Sequence, residues 1–313
     1  MLNDWKFVKG NEIMKNAIEA RSLTKRYRNF TLGSLDFAIP QGFSTALIGA
    51  NGAGKTTLLD VLCGITGASG GTVTYFGEET DVENVKEKIG YCAAQAMYPF
   101  SWSVRDIALS CEAGFKGFSR DKFAKICEEM GIDSELSGKK KPMYKLSDGN
   151  KMRAALASVF ARETKLLVLD EPGSNLDPLM RDRLCDRFRG YLDEGDGEKS
   201  ILFSTHNISD MENAADYVIF MSDGQIIEQG FTEDLKEKYI IVRDDIATYE
   251  RVKSHLLTRS KNSMTYSGLA LASERSEIEA FGAAAEIPNL QQLSIELLKL
   301  SEEREKEKGA YKK

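Results

Sequence analysis

The sequence predicts an α/β protein with a largely parallel sheet, and three features carry that expectation. Short apolar runs alternate with helical periodicity, as expected when parallel strands are joined by crossover helices. One run, Ser44-Thr45-Ala46-Leu47-Ile48, leads into a glycine-rich turn and then into residues 55–62, giving strand, loop, helix. Two more buried runs, Leu166-Leu167-Val168-Leu169 and Ile201-Leu202-Phe203-Ser204-Thr205, end on acids and on a histidine respectively.

In chain order, residues 1–16 mix Asp4, Lys6, Lys9, Glu12 and Lys15 among apolar residues. They are expected to be an extension without a secretory signal, because they have neither an apolar core region nor a small-residue cleavage site. The α/β pattern fills residues 17–238. Between about residues 97 and 164 it turns helical, with Met152, Ala155, Leu156, Val159 and Phe160 at i, i+3, i+4, i+7 and i+8, so a helical insertion is expected there. The run Lys139-Lys140-Lys141 reads as a solvated loop. After Gly230 charge density rises and strand-like runs shorten. Residues 239–313 are therefore expected to form a small accessory domain. Its last helix carries Leu290, Leu293, Leu297 and Leu300 at near-heptad spacing, which suits either packing on its own domain or a dimer contact.

Composition excludes several classes. The 313 residues, 42% apolar and 29% charged, are enough for one large core and a smaller neighbour. No apolar run approaches the roughly 20 residues that span a bilayer, so a soluble, intracellular chain is expected. A net charge of −6 argues against nucleic acid as the main partner, since phosphate backbones require a basic face. The five cysteines, Cys63, Cys92, Cys111, Cys127 and Cys185, form no C-x-x-C and read as reduced, buried thiols.

Gly49-Ala50-Asn51-Gly52-Ala53-Gly54-Lys55-Thr56 fits G-x-x-x-x-G-K-[ST] after a strand and at the start of a helix. The glycines let the backbone N–H groups of Asn51, Gly52, Ala53 and Gly54 curl round phosphates. Lys55 reaches the β- and γ-phosphates, Thr56 ligates Mg²⁺, and Thr57 reaches the α-phosphate, all on a helix N-terminus that favours anions. Asp170 and Glu171 follow a strand at the carboxyl edge of the sheet, where α/β folds bind ligands. Successive strand residues point to opposite sides, which assigns Asp170 to the Mg²⁺ shell and Glu171 to the attacking water as general base. His206, one of two histidines, ends the next strand, where it can contact the γ-phosphate. His255 carries no motif and reads as structural.

A phosphate loop alone also suits kinases and GTPases. Leu146-Ser147-Asp148-Gly149-Asn150, leading into a helix, resembles the signature of ABC transporter ATPases, whose usual form is Leu-Ser-Gly-Gly-Gln. In the same order Tyr27 resembles the adenine-stacking aromatic and Gln95 the glutamine that serves the metal and the water. Ser174-Asn175-Leu176-Asp177 resembles the D-loop, and His206 the switch histidine. The resemblance covers residues 17 to about 230 and implies a P-loop NTPase fold with an antiparallel β subdomain. It also implies a small α+β C-terminal domain, ATP with Mg²⁺ as ligands, and ATP hydrolysis. Thr56, Asp170 and Gln95 are then the metal residues, and Glu171, His206, Gln95 and Lys55 the catalytic ones. Ser147 and Gly149 bind the γ-phosphate held by a second subunit, identical or paralogous, in a head-to-tail dimer. Asp148 and Asn150 depart from the usual signature, with Lys151 and Arg153 placed to compensate.

Further resemblances point to an exporter ATPase serving a separate membrane permease. They lie in Leu235-Lys236-Glu237-Lys238-Tyr239 and in Ile287-Pro288-Asn289-Leu290-Gln291-Gln292-Leu293, and suggest export of peptides or drugs, including the phenol-soluble-modulin type. The permease is expected to dock near Met97-Tyr98-Pro99-Phe100-Ser101-Trp102, holding the chain on the cytoplasmic face of the membrane. An importer ATPase with a regulatory C-terminal domain is the alternative. A DNA-repair or translation ATPase would need a long coiled coil or a second cassette, and the chain has neither.

Overall fold

The computed structural model describes residues 7–9, 12–77, 85–95, 97–132, 136 and 141–310. A hairpin of β1 (Phe7–Lys9) and β2 (Glu12–Met14) precedes β3 (Asn16–Arg26), which pairs antiparallel with both β4 (Thr31–Pro40) and β6 (Gly70–Tyr75). The main sheet contains β5 (Ser44–Ile48), β7 (Ile89–Cys92), β8 (Leu166–Leu169), β9 (Ser200–Thr205), β10 (Tyr217–Ser222) and β11 (Gln225–Phe231). Their spatial order is β11-β10-β5-β9-β8-β7, and every pairing is parallel except β10 with β11. β5, β8 and β9 are buried throughout, which explains their near-continuous apolar runs: both faces of a parallel sheet are covered.

Each face has its own cover. Ala46, Ile48, Leu167, Leu169 and Phe203 join a core built with the helical region. Leu47, Leu166, Val168 and Leu202 join a second core with β3, β4 and helix α1 (Lys55–Leu62). Alternate strand residues thus enter opposite cores, as the pleat requires.

The helical region contains α2 (Val104–Gly114), α3 (Arg120–Glu129) and α4 (Asp148–Phe160), with α5 (Pro178–Asp193) following β8. The expected start near residue 97 is too early. Residues 97–103 are irregular, because Ser103 and Asp106 form a reciprocal capping box that fixes the first turn at Val104. Met152, Ala155, Leu156, Val159 and Phe160 are all buried on α4. Lys139 and Lys140 of the expected loop lie outside the described residues.

The C-terminal part contains α6 (Thr232–Lys238), β12 (Tyr239–Asp245), α7 (Ile246–Val252), β13 (Ser260–Lys261), β14 (Thr265–Leu271), α8 (Arg275–Ala280), β15 (Ala284–Glu286) and α9 (Leu290–Ala310). Its antiparallel sheet has the order β13-β14-β12-β15. Ile240, Val242 and Ala270 on one face form a local core with Tyr249, Val252 and Ile278, whereas Tyr239, Ile241 and Leu269 on the other enter the main core. Leu290, Leu293 and Leu297 of α9 are buried in that main core too, and Leu300 is half-buried. The leucine stripe is therefore largely used within the chain. No helix among the described residues is long and apolar enough to cross a membrane.

Candidate active site

The loop between β5 and α1 turns through Gly52 and Gly54, with φ of 87° and 102°. These left-handed angles suit glycine, and at Gly54 an added Cβ would also lie 2.7 Å from the Phe30 ring. The outer rim, Asn51, Gly52 and Thr56, is exposed, whereas Ala53 and Lys55 are buried. The Lys55 ammonium donates to the carbonyls of Gly49 at 2.8 Å and Ala50 at 3.4 Å, and lies 3.3 Å from Glu171 Oε1.

Two acids from the end of β8 hold different positions. Asp170, 2% exposed, accepts the Thr56 hydroxyl at 2.7 Å on one oxygen and the Ser204 hydroxyl on the other. Glu171 Oε2 meets His206 Nδ1 at 2.8 Å. Strand alternation does not separate the pair, because β8 ends at Leu169. The separation comes from Glu171 itself, at φ 49°, a left-handed conformation that costs on the order of 1 kcal/mol and turns its carboxylate toward Lys55 and His206. Ser204 also accepts the Glu171 N–H at 2.9 Å, so one hydroxyl fixes both acids. Sequence reasoning missed Ser204; its only signal was a hydroxyl two residues before His206. A cavity of about 70 Å³ beside Glu171, bounded by Ser174, Thr205 and His206, has room for water. Behind the site, burial and then Asp170 push the Cys92 thiol up to about 12.

The remaining expected residues stand apart from this cluster. Ser147 caps α4, accepting the Asn150 N–H at 3.2 Å, and Asp148 points outward to Lys151 at 2.8 Å. Gly149 packs against the Asn175 backbone, where an added Cβ would lie 2.8 Å from the carbonyl oxygen. Gln95 is exposed and faces a cavity of about 300 Å³ shared with Met97, Tyr98, Asp148 and Asn175 rather than the Thr56–Asp170 pair. Tyr27 is 48% exposed beneath the Lys25 ammonium. Within the aromatic segment Tyr98 turns inward, stacking on Trp102 and bonding Ser158 at 2.6 Å, while Phe100 and the neighbouring Tyr144 are each 61% exposed.

A glycine-turned loop at a helix N-terminus, a buried lysine, and a hydroxyl–carboxylate pair at the carboxyl edge of a parallel sheet define a P-loop nucleotide-binding protein. Residues 32–174 match the ABC transporter family model. The chain is 32% identical over 226 residues to the uncharacterized ABC transporter ATP-binding protein YxlF of Bacillus subtilis, covering 71% of this chain and 73% of that protein. It therefore belongs to the family of ABC transporter ATP-binding proteins. An uncharacterized relative from Synechocystis is 30% identical over 70% of this chain, which spans 64% of that protein's length. CbiO1 of Clostridium perfringens, described as part of the ABC transporter complex CbiONQ, superposes with a TM-score of 0.59 at 27% identity, over 71% of this chain and 90% of that one. A nickel import ATP-binding protein of Rhodobacter capsulatus is 27% identical over 74% of this chain. Proteins of this family bind ATP with Mg²⁺ and hydrolyse it. The residues present fit both ligands: Thr56 and Asp170 bring two hard oxygen donors together, and the loop N–H groups with Lys55 supply the anion cradle.

Proposed function

We propose that this chain is the ATP-hydrolysing subunit of an ABC transporter, working as half of a head-to-tail dimer beneath a separate permease. The observation that carries the reading is Glu171, held between Lys55 and His206 beside the Thr56–Asp170 pair. Lys55 binds the β- and γ-phosphates, trading its contact with Glu171 for phosphate oxygens. Thr56 and Asp170 would hold Mg²⁺, with Gln95 joining them only after turning from the cavity it now faces, and the ion would neutralise charge on the phosphates. Glu171 takes the proton of the attacking water, His206 orients the carboxylate through Nδ1, and the left-handed turn keeps the base aimed. Tyr27 offers an exposed face to adenine. Ser147 caps its own helix and Gly149 packs on the Asn175 backbone, and both serve the ATP of the other subunit.

The permease docks beside residues 97–102. Export of a peptide or drug is the direction proposed, resting on the likeness of residues 235–239 and 287–293 to exporter ATPases. Import is the competing direction, favoured by the relative named for nickel. Reconstitution with the permease in oriented vesicles decides between them by the side on which cargo accumulates.

Glu171→Gln tests the chemistry. Hydrolysis falls by about 10²- to 10⁴-fold while ATP binding persists, and size-exclusion chromatography with ATP and Mg²⁺ shows an accumulated dimer. Lys55→Ala instead loses about 10- to 100-fold in nucleotide affinity. Turnover of Glu171→Gln at the unmodified rate removes Glu171 as the base.

A further inference from the structure

We propose that His255, Glu274 and Glu277 form a binding site for a divalent transition-metal ion of the zinc class, separate from the nucleotide site. His255 Nδ1 lies 2.6 Å from Glu274 Oε2 and 3.8 Å from Glu277 Oε2, and the three ligand atoms all fall within 4.8 Å of one another. Donors around a four-coordinate zinc ion sit roughly 3.3 Å apart, so the observed spacings bracket what a shared ion requires.

The scaffold is built from two elements anchored in one core. His255 closes the turn after α7, its N–H donating to the Val252 carbonyl at 2.9 Å, and Val252 is fully buried. Glu274 and Glu277 stand three residues apart at the start of α8, on one helical face, and Ile278 beside them is fully buried. The Phe281 ring lies 5.7 Å from the imidazole and shields one side. His255 and Glu274 are half-buried while Glu277 is exposed, which leaves an entry path and room for water ligands.

Charge favours a cation. With a neutral imidazole the trio carries two negative charges, and among the described residues neither carboxylate is paired with a lysine or arginine. The nearby bases are used elsewhere: Arg275 binds Glu279 and the Ala285 carbonyl, and Lys253 binds Glu250. One imidazole nitrogen with two carboxylates suits Zn²⁺, Co²⁺, Ni²⁺ or Mn²⁺ and disfavours Cu(I), which prefers sulfur. Mg²⁺, bound through oxygen and reluctant to lose water, gains little from the histidine.

The test uses the full chain, stripped with chelator and titrated with Co²⁺ while its visible d–d absorption is followed. One equivalent binds, Zn²⁺ displaces it, and Zn²⁺ raises the melting temperature. Glu277→Gln keeps the metal-free melting temperature, since among the described residues the exposed Glu277 carboxylate contacts only His255, at 3.8 Å, yet weakens Co²⁺ binding at least about tenfold. His255→Ala abolishes the signal, whereas Asp170→Asn in the nucleotide site leaves it intact. Absence of saturable Co²⁺ binding overturns the proposal, as does binding that survives His255→Ala or disappears in Asp170→Asn.

Discussion

The two parts of the chain assigned to ATP differ in how complete they are. At the phosphate loop every charged group already has its partner: Lys55 meets Glu171, Glu171 meets His206, and Asp170 accepts from both Thr56 and Ser204. At the start of α4 the polar groups satisfy only their own helix, with Ser147 capping Asn150 and Asp148 bound to Lys151 three residues on. The first half is preorganised by folding. The second has only intrahelical partners, so in the proposed dimer its helix N-terminus is free to meet the phosphate of the other subunit's ATP.

Ser147→Ala breaks this contrast most directly. Hydrolysis by the assembled transporter falls by about 10²-fold or more, as when one donor to a transition-state anion is lost. ATP binding by the isolated chain, measured by equilibrium titration, stays unchanged. A comparable loss of binding in the monomer would mean that Ser147 serves its own nucleotide.

The next effect is on stability. Leu293 is fully buried where α9 meets the main core, and the N-terminus of α9 is pinned by the Leu290 N–H donating to Glu212 Oε1 at 2.9 Å. Leu293→Ala costs about 3 kcal/mol, read by urea denaturation. An effect under about 1 kcal/mol, accompanied by a weaker dimer, would transfer the leucine stripe to the subunit interface.

The smallest effect is acid-dependent. Partial burial pushes the Glu194 carboxyl up, but Lys122, with Lys199 and Arg187, outweighs it and holds the group down at about 2. A carboxylate depressed on folding adds stability above its unfolded value, near 4.3, and loses that stability as pH falls toward 2. Solvent screens this cluster, so Glu194→Gln costs under about 1 kcal/mol at pH 7. The difference from the unmodified protein vanishes near pH 2, and thermal melts across pH 2–7 check it.

The sequence by itself determined whatever depends on local order along the chain. The phosphate loop was legible because Gly52 and Gly54 sit where left-handed turns are needed just before the helix that begins at Lys55. The buried strands showed as apolar runs because both faces of a parallel sheet are covered, and the apolar positions of α4 showed at helical spacing. Family likeness named Gln95 and Tyr27, but their surroundings came only from the fold.

Tertiary structure decided the rest. Ser204 reaches Asp170 across 34 residues of sequence, and no local pattern marks one serine in a strand as the clamp on two acids. The left-handed Glu171 is likewise imposed by neighbours, since nothing about a glutamate announces that conformation. His255 looked structural in isolation because Glu274 and Glu277 come 19 and 22 residues later, brought beside it when α7 and α8 pack on one core. The leucine stripe suits either a core or an interface, because periodicity specifies a face and not its partner. Only the folded chain, with Leu290, Leu293 and Leu297 already in its main core, supplies that partner.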